Sequence, residues 1–490
     1  MPARNLLAFD LGAESGRALL GRLDSGRLSL TELHRFANTP ARMNSRLHWN
    51  LLSLWESLKT GLRNASAAGS AGLHGLGVDT WGVDFGLIGR NGEVLGLPVC
   101  YRDSRTDGIL ERTFQRVPRE RIFQVTGVQF LQFNTLFQLL AMRECRSSLL
   151  EMADRLLMMP DLLHYLFTGQ AANEFSAATT TQMYDPRRKD WAWDLLRELD
   201  LPSHFLGPIV PSGTILGRLS DEVAAECGVQ PFPVITPASH DTGSAVLSVP
   251  AEGSDWCYIS SGTWSLLGAE LDDPLVNDES LALQFTNEGG VDGKIRFLKN
   301  IFGLWLVQEC RRQWEKEGQT VDYAQLTEEA RNAPAFRAIL PNLDDPRLLA
   351  PENMPELIRT ICRETEQPVP GDRGETVRCA LESLALKYRR TLRGLDRLLG
   401  RKTERLHIIG GGTQNQLLCQ MTADACGIEV ITGPVEATAL GNIGVQAMAT
   451  GALDSLQSLR AMIRVSTPMA RYEPRETDVW EALDARFSSN

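Results

Sequence analysis

The sequence predicts an α/β protein of two domains built on a common plan, and three observations support this. An apolar strand, a polar turn containing glycine and a second apolar strand span residues 5–20. A segment of the same shape recurs about half a chain later, at residues 256–269. A strand, a glycine turn, a helix and another strand then follow between residues 406 and 432. Recurrence of one unit favours a duplicated architecture over a single long domain.

Composition narrows the class of protein. The chain has 490 residues, of which 43% are hydrophobic and 23% charged, which is typical of a globular protein with two or three cores. The formal net charge is −11 and lysine and arginine are not clustered, so we expect no nucleic acid partner. No apolar run approaches the roughly 18 residues of a membrane span, and the first residues predict a strand rather than a signal peptide. We expect a protein that does not enter a membrane.

Cysteine usage predicts a reduced, cytoplasmic chain. The nine cysteines form no C-x-x-C pair and have no histidine at zinc-ligand spacing, so no structural zinc is expected. Cys362 and Cys379 could approach each other if the segment between them folds back. Free thiols are the favoured interpretation for this pair.

The elements between the repeats place the domain boundary. Residues 73–99 alternate strand-like runs with turns, and Asn91-Gly92 is a strong hairpin signal. Helices are expected over 135–144, 161–168 and 378–399. The proline-rich run 231–238 predicts an extended segment that ends at Ser239, His240 and Asp241. We therefore predict a first domain over 1–243, a second domain over 244–455 and a helical tail over 456–490.

The two hairpins have the composition of phosphate-binding turns. Small residues between Gly12 and Arg17 let backbone N–H groups approach phosphate oxygens, and Arg17 can add charge-assisted bonds. Asp10, at the end of the first strand, is a candidate Mg²⁺ ligand acting through water. The second hairpin offers the turn 261–263. Each hairpin taken singly is equally compatible with an ordinary tight turn, and only their pairing favours a site that grips ATP from two sides.

Asp241 is the candidate general base. It falls where the extended segment becomes a helix, and a helix N-terminus favours an ionised carboxylate that can accept a proton. The alternative that Asp241 is only an N-cap stays open on local sequence. A catalytic triad of Ser239, His240 and Asp241 is a poorer hypothesis, because consecutive side chains point in different directions.

Two further segments suit a ligand rich in hydroxyl groups. The run 80–84, TWGVD, supplies an aromatic side chain, and the run 101–105, YRDSR, supplies bidentate polar groups. Both have structural alternatives. Trp81 could belong to the core, and the charged run could be a solvated turn.

Taken together, the motifs resemble the FGGY family of carbohydrate kinases over nearly the whole chain. Within that family, the similarity is greatest to the members that phosphorylate L-rhamnulose. The motifs that carry the resemblance are DLGAESGR at 10–17, GVDTWGVDF at 77–85, YRDSRT at 101–106, ATTTQ at 178–182, SHDTGSAV at 239–246, SSGTWSL at 260–266, TNEGG at 286–290, LKNIFGLWLVQE at 298–309 and GGGTQN at 410–415.

The resemblance implies two actin-like, ribonuclease-H-like domains with an interdomain catalytic cleft, of which 1–243 binds the sugar and 244–455 binds the nucleotide. It implies L-rhamnulose 1-phosphate as the product. It implies ATP and Mg²⁺ as cofactors, a sugar as the other small-molecule partner, and Asp241 as the proton acceptor. It places ATP against Ala13, Glu14, Ser15, Gly16, Arg17, Thr263, Gln308 and Gly411. It places the sugar against Gly82, His240, Asp241, Thr242 and Asn300. Some relatives carry a cysteine where this chain has Thr422, which excludes a disulfide there.

Three alternatives remain at the level of sequence. The acceptor could be another ketose or polyol, such as fuculose, xylulose or glycerol. An actin-like fold could also serve a nucleotide-gated chaperone or a filament protein, although no linker to a peptide-binding domain follows the last β-α-β unit. The oligomeric state is open.

Overall fold

The computed structural model describes residues 3–68 and 72–488, and it divides into two compact units. Unit 1 comprises the chain up to Ser248 together with Glu270–Leu298 and Glu436–Thr467. Unit 2 comprises Val249–Ala269, Lys299–Val435 and the chain from Pro468. The units are interleaved along the chain, whereas the predicted domains are consecutive, so the boundaries at 243 and 455 stay a prediction about sequence domains. The ends of the predicted first and last segments, residues 1–2 and 489–490, lie outside the described residues.

Fourteen strands and ten helices are described before residue 249. The strands are β1 Arg4–Leu11, β2 Ser15–Asp24, β3 Arg27–Ala37, β4 Ala41–Met43, β5 Arg46–His48, β6 Gly75–Thr80, β7 Phe85–Ile88, β8 Arg155–Met158, β9 Asn173–Glu174, β10 Tyr184–Asp185, β11 Asp190–Trp191, β12 Ile209–Val210, β13 Ile215–Arg218 and β14 Pro233–Ile235. The helices are α1 Leu51–Ala67, α2 Ile109–Phe114, α3 Arg119–Thr126, α4 Thr135–Glu144, α5 Leu149–Met152, α6 Met159–Thr168, α7 Phe175–Thr179, α8 Trp193–Glu198, α9 Asp221–Cys227 and α10 Asp241–Leu247.

The remaining elements are described from residue 256 onward. The strands are β15 Trp256–Ser261, β16 Trp264–Leu271, β17 Thr286–Gly289, β18 Ile295–Phe302, β19 Arg405–Ile409, β20 Glu429–Thr432 and β21 Arg471–Tyr472. The helices are α11 Asp278–Ala282, α12 Trp305–Lys316, α13 Tyr323–Asn332, α14 Met354–Glu364, α15 Arg373–Leu399, α16 Gln416–Cys426, α17 Ala437–Ala449, α18 Leu456–Ser466 and α19 Thr477–Ser488. Short 3₁₀ turns cover Ser104–Thr106, Val291–Gly293, Pro346–Leu348 and Gly411–Gln414.

The six-stranded sheet of unit 1 has the order β13-β14-β6-β1-β2-β3. Strands β1, β2 and β3 form an antiparallel meander, and β6 and β14 continue the sheet in parallel with β1. Both faces of β1 are buried: Leu7, Phe9 and Leu11 pack in one apolar cluster, and Leu6 and Ala8 pack in another. This explains why residues 6–9 of β1 are all apolar, as the middle of a central strand covered on both faces must be.

The sheet of unit 2 repeats that plan. Its order from β18 is β18-β16-β15-β19-β20-β21, with β16 antiparallel and β19 parallel to β15, and β20 parallel to β19. An antiparallel pair leading into parallel strands is the arrangement found in unit 1. The predicted α/β class, both hairpins and the duplicated architecture are therefore confirmed.

Individual elements match the sequence expectations to different degrees. Helix α4 covers the predicted 135–144, and α6 and α15 begin a few residues earlier than predicted. The Asn91-Gly92 turn is present, but only the isolated bridge between Ile88 and Val94 closes it, because β7 pairs with β8 instead. Helix α16 begins at Gln416, where the side chain of Asn415 accepts a hydrogen bond from the Leu418 backbone N–H and caps the helix.

Two expectations on composition can be compared with the structure. The nine cysteines are all free thiols, and the side chains of Cys362 and Cys379 lie in contact without a disulfide between them. Among the helices of residues 3–68 and 72–488, including the 27-residue α15, we find none whose length and hydropathy would suffice to span a bilayer.

Candidate active site

A row of charged side chains crosses three adjacent strands of unit 1. Asp10 on β1 lies opposite Arg17 on β2 and opposite Asp79 on β6 in the strand registers. Side chains that are paired in register project from the same face of a sheet. The Nη2 atom of Arg17 lies 2.5 Å from Oδ2 of Asp10, and Nη1 of Arg17 bonds the carboxylate of Glu436, just before α17. The guanidinium of Arg17 therefore lies between the carboxylates of Asp10 and Glu436.

Arg17 stays charged in this setting. Burial works against its charge, but the carboxylates of Asp10 and Glu436 outweigh that effect and raise the pKa of the guanidinium. The side chain is nevertheless 18% exposed, so its charge is accessible to a ligand.

Asp79 differs from its neighbour Asp10. It is fully buried, and burial together with the charge of Asp10 raises its pKa well above the usual range. Its Oδ2 accepts a 2.5 Å hydrogen bond from Nδ2 of Asn442 on α17, a residue 363 positions away in the chain. The bond ties the sheet to α17.

Asp241 is the first residue of α10, and the N-cap is His240. Its Oδ1 accepts a 2.5 Å hydrogen bond from the backbone N–H of Thr242 and a 3.1 Å bond from the Thr242 hydroxyl. A capping side chain would instead bond an N–H two or three residues onward, so the N-cap alternative is wrong. The side chain is 30% exposed, which leaves the carboxylate open to a substrate.

The pKa of Asp241 does not follow the simple helix-terminus argument. Burial raises it, the neighbouring His240 lowers it, and the charge of Asp10 raises it further, with a net shift upward. The expectation that the helix start favours the ionised form is therefore outweighed. A carboxylate with a raised pKa is a better proton acceptor than a free one.

The loop after β6 carries backbone strain at a predicted sugar contact. Val83, next to Gly82, has a φ of 65°, a conformation that a β-branched residue rarely adopts. Its N–H donates to the hydroxyl oxygen of Thr180 at 3.1 Å, and its carbonyl accepts a hydrogen bond from the Thr135 hydroxyl at 2.6 Å. Strain of this kind persists where the surroundings fix the backbone, which is common at binding sites.

In the aromatic and charged runs proposed for polyol binding, several polar groups already make hydrogen bonds within the protein. Trp81 is buried in the core and packs against Trp49 with ring centroids 4.2 Å apart. Both indole N–H groups donate to Oδ2 of Asp84, at 3.0 and 2.6 Å. Asp103 accepts the backbone N–H groups of Leu47 and Arg105, at 2.7 and 2.9 Å. The core alternative for Trp81 is correct. In the charged run, Asp103 is bonded within the protein, whereas Arg102 and Ser104 are exposed.

Unit 2 carries the other predicted ligand contacts, which are Thr263, Gln308 and Gly411 for the nucleotide and Asn300 for the sugar. Thr263 lies in the turn between β15 and β16, where its carbonyl accepts the N–H groups of Gly303 and Trp305 at 3.0 and 3.1 Å. Gly411 follows β19 and is exposed. Gln308 lies on α12, and its buried Oε1 makes no hydrogen bond to the chain segments that the structure describes. Asn300 lies on β18 and is partly buried.

Replacing Gly412 by Ala is expected to destabilise unit 2 and weaken ATP binding. An added Cβ would lie 2.0 Å from Oγ and 2.6 Å from Cβ of Ser261, so the glycine turn and the β15–β16 turn would have to separate. Gly411→Ala is the matched control for stability, because its Cβ would meet nothing within 4 Å. Thermal unfolding and nucleotide titration measure the effects, and equal melting temperatures for the two variants would contradict this prediction.

The predicted site residues thus fall into two groups. The first group lies in unit 1 and comprises Asp10, Ala13, Glu14, Ser15, Gly16, Arg17, Gly82, His240, Asp241 and Thr242. The second group lies in unit 2 and comprises Thr263, Asn300, Gln308 and Gly411.

The sequence argument missed several polar partners within unit 1. Glu174 accepts hydrogen bonds from the Ser176 hydroxyl at 2.5 Å and the Ser239 N–H at 3.0 Å, and the Ser176 hydroxyl in turn accepts the His240 N–H at 3.0 Å. Arg296 was also missed. A charged residue inside the apolar run of β18 was the available signal for it, because a buried charge requires a partner.

The chain matches a known protein family over most of its length. Residues 5–248 match the N-terminal domain of the FGGY family of carbohydrate kinases, and residues 257–450 match its C-terminal domain. The chain is 43% identical over 486 residues to the rhamnulokinase of Bacteroides thetaiotaomicron, and the alignment covers 99% of each chain. It is 43% identical over 491 residues to the rhamnulokinase of Pectobacterium atrosepticum, and this alignment covers 100% of this chain and 97% of the relative.

Solved structures share the fold at low sequence identity. The ligand-bound xylulose kinase of Lactobacillus acidophilus superposes with a TM-score of 0.81 at 14% identity, covering 99% of this chain and 97% of that chain. The glycerol kinase of Plasmodium falciparum with ADP has a TM-score of 0.79 at 14% identity, with the same coverage. Two solved kinases of different substrates therefore have this two-domain α/β fold.

Proposed function

We propose that this chain, which belongs to the FGGY family of carbohydrate kinases, transfers the γ-phosphoryl group of ATP to the 1-hydroxyl of L-rhamnulose. The chain is a sugar kinase by family, and the substrate is inferred from relatives that are 43% identical over the whole length and carry the name rhamnulokinase. The observation that carries the mechanism is the accessible carboxylate of Asp241, which has a raised pKa and lies near Asp10.

Asp241 acts as the general base in this proposal. As the sugar oxygen forms its bond to the γ-phosphorus and the bond from that phosphorus to the β,γ-bridging oxygen breaks, the hydroxyl proton passes to a carboxylate oxygen of Asp241. A raised pKa increases the driving force for that transfer. Gly82, His240, Thr242 and Asn300 are the proposed sugar contacts.

ATP binding is proposed to use both groups of residues. In unit 1, Ala13 to Arg17 form the turn after β1, and the Arg17 guanidinium offers a positive charge to phosphate oxygens. In unit 2, Thr263 and Gly411 lie in turns, and the buried Gln308 Oε1, which makes no bond to the described residues, is an available acceptor for a hydroxyl or amino group of the nucleotide.

The residues present fit a Mg²⁺ ion that arrives with ATP. Residues 3–68 and 72–488 contain no cluster of three or more His, Cys, Asp or Glu side chains that could hold a metal. Mg²⁺ needs no such cluster, since one or two carboxylates together with substrate phosphates commonly hold it. Asp10 is the residue proposed to bind it, through water. The ion would neutralise phosphate charge during transfer.

A substrate panel tests the proposal. Purified protein should consume ATP with L-rhamnulose at least about tenfold faster, in kcat/KM, than with L-fuculose, D-xylulose or glycerol, because a site matched to one polyol leaves polar groups unpaired with another. The product should be the 1-phosphate by NMR. ATP consumption independent of any sugar, or faster with another acceptor, would refute the substrate assignment. We further propose a cytoplasmic location, consistent with nine free thiols.

A further inference from the structure

A buried cluster of charged side chains lies behind His240 in unit 1. The Arg296 side chain is 1% exposed, that of Glu288 is 7% exposed and that of His240 is 11% exposed. Glu288 and Arg296 belong to the hairpin formed by β17 and the first half of β18. Neither residue has a role in the mechanism described above, although His240 does.

The contacts within the cluster are short and directed. Arg296 donates through Nε to the carbonyl of Gly289 at 2.8 Å and through Nη2 to Oε2 of Glu288 at 3.1 Å. The same Nη2 lies 3.0 Å from Nδ1 of His240. Nδ1 is also 3.3 Å from Oε2 of Glu288. On the other side of the ring, Nε2 of His240 lies 3.5 Å from Oδ1 of Asp241.

These distances assign the protons on the imidazole. A guanidinium nitrogen is always a donor, so Nη2 places one hydrogen toward Glu288 and the other toward Nδ1. A proton on Nδ1 would face that second hydrogen across 3.0 Å, with donor against donor. With Nδ1 as the acceptor, the N–H of the ring is on Nε2, the atom nearest Asp241.

We propose that Arg296 and Glu288 are positioning residues that fix His240 as the Nε2–H tautomer, so that it presents a hydrogen-bond donor at the site of Asp241 and the sugar. The proposal deepens the proposed function and rests on it. Arg296 sets the tautomer through Nη2, and Glu288 holds Arg296 in place by accepting its other hydrogen.

A stabilising role alone does not account for the cluster. A buried ion pair is often no more stable than an apolar pair of the same volume, and Nη1 of Arg296 makes no hydrogen bond among the residues that the structure describes. The backbone of His240 is separately fixed, since its N–H donates to Ser176 Oγ at 3.0 Å. What the ion pair adds is control over the imidazole ring.

The donor has an electrostatic consequence for Asp241. The groups that act on this carboxylate are Thr242, which donates twice, His240, the charge of Asp10, and Asp79, whose own pKa is raised by Asp241. A donor at His240 opposes the repulsion from Asp10 and keeps Asp241 available as an ionised base. With the other tautomer, the Nε2 lone pair would face the carboxylate and disfavour ionisation.

Nitrogen NMR of protein labelled at histidine tests the tautomer directly. The chain has seven histidines, and the His240 signals are identified by their absence in His240→Gln. We expect long-range ¹H–¹⁵N correlations to show a protonated Nε2 and an unprotonated Nδ1 at the pH of maximal turnover. A protonated Nδ1 in the wild-type protein, with or without a proton on Nε2, would overturn the proposal without any variant of the cluster.

Two variants separate the roles of the partners. Arg296→Met leaves Glu288 facing Nδ1, so the proton should move to Nδ1, and kcat/KM should fall roughly tenfold to a hundredfold, as for loss of a hydrogen bond to a charged group. The acid limb of the kcat profile should also move to higher pH. Glu288→Gln leaves Arg296 in place as the donor to Nδ1, so it should retain the Nε2–H tautomer. Its loss of kcat/KM should be smaller than that of Arg296→Met. Retention of Nε2–H in Arg296→Met would overturn the proposal, and if that variant does not fold, the wild-type and Glu288→Gln spectra decide.

Failure of this inference is distinguishable from failure of the proposed function. The tautomer is measured without substrate, whereas the substrate is measured by turnover of the wild-type enzyme. Rapid phosphorylation of L-rhamnulose with a protonated Nδ1 would refute the inference and leave the function standing.

Discussion

Replacing Asp241 by Asn is expected to lower kcat roughly 10²- to 10⁴-fold, the range typical of losing a general base. The amide has nearly the same shape as the carboxylate, but it cannot accept the proton of the sugar hydroxyl. ATP affinity should change little, because the proposed ATP contacts are other residues. Steady-state kinetics with L-rhamnulose and calorimetric titration with a non-hydrolysable ATP analogue measure the two effects.

The control for this substitution is an identical chemical change at a surface carboxylate. Asp272 is 82% exposed and pairs only with Lys294 among the ion pairs described, so Asp272→Asn should leave kcat unchanged within about twofold. A kcat for Asp241→Asn within about threefold of the wild-type value would reduce Asp241 to a residue that shapes the site.

The pH dependence gives a second measure of the same group. Because the pKa of Asp241 is raised, its ionised form is lost at a higher pH than for a free aspartate as the solution is acidified. We expect kcat of the wild-type enzyme to fall as the pH decreases through that raised pKa. The residual activity of Asp241→Asn should lack this acid limb, and an unchanged limb would assign it to another group.

The parts of this protein that sequence predicts well are local. The Thr135–Glu144 helix follows from apolar spacing after Asn134, and each hairpin follows from two apolar runs around a short polar turn. In both cases the bonds that decide the structure join residues close together in the chain. Hydrophobic periodicity and turn composition report such bonds.

The parts that sequence does not predict depend on long-range pairing. Asn442 reaches Asp79 across 363 positions, and Arg296 reaches His240 across 56. No spacing rule connects such residues, and a buried polar residue in an apolar run shows only that some partner exists. The upward pKa shift of Asp241 was missed for the same reason, since burial and the charge of Asp10 come from elements far along the chain.

The candidate base is therefore positioned by packing as well as by its own helix. Helix α10, which begins with Asp241, packs against α17, which supplies Asn442 to Asp79. Gly441 of α17 lies against α10, where an added Cβ would lie 1.8 Å from the backbone oxygen of Ser244. A backbone oxygen cannot rotate away as a side chain can. The contact between α10 and α17 at Gly441 should therefore tolerate little added side-chain volume.

Replacing Gly441 by Ala is accordingly expected to lower the free energy of unfolding by about 1–3 kcal/mol or more, because the helices must separate. The loss should exceed the roughly 1 kcal/mol that alanine gains over glycine within a helix. Separation would also shift Asp241, so kcat should fall together with stability. Urea unfolding followed by circular dichroism measures the first effect, and ATP consumption with L-rhamnulose measures the second.

Gly444→Ala on the same helix is the matched control, since it gains the same helix propensity. Its Cβ would meet the side-chain ends of Leu459, at 2.3 and 2.6 Å, and these methyl groups can rotate aside at a smaller cost. Gly444→Ala should thus retain the position of α10 and most of the activity. Equal stability of the two variants would show that α10 and α17 can move apart freely, and the packing of α17 could then not be what positions Asp241.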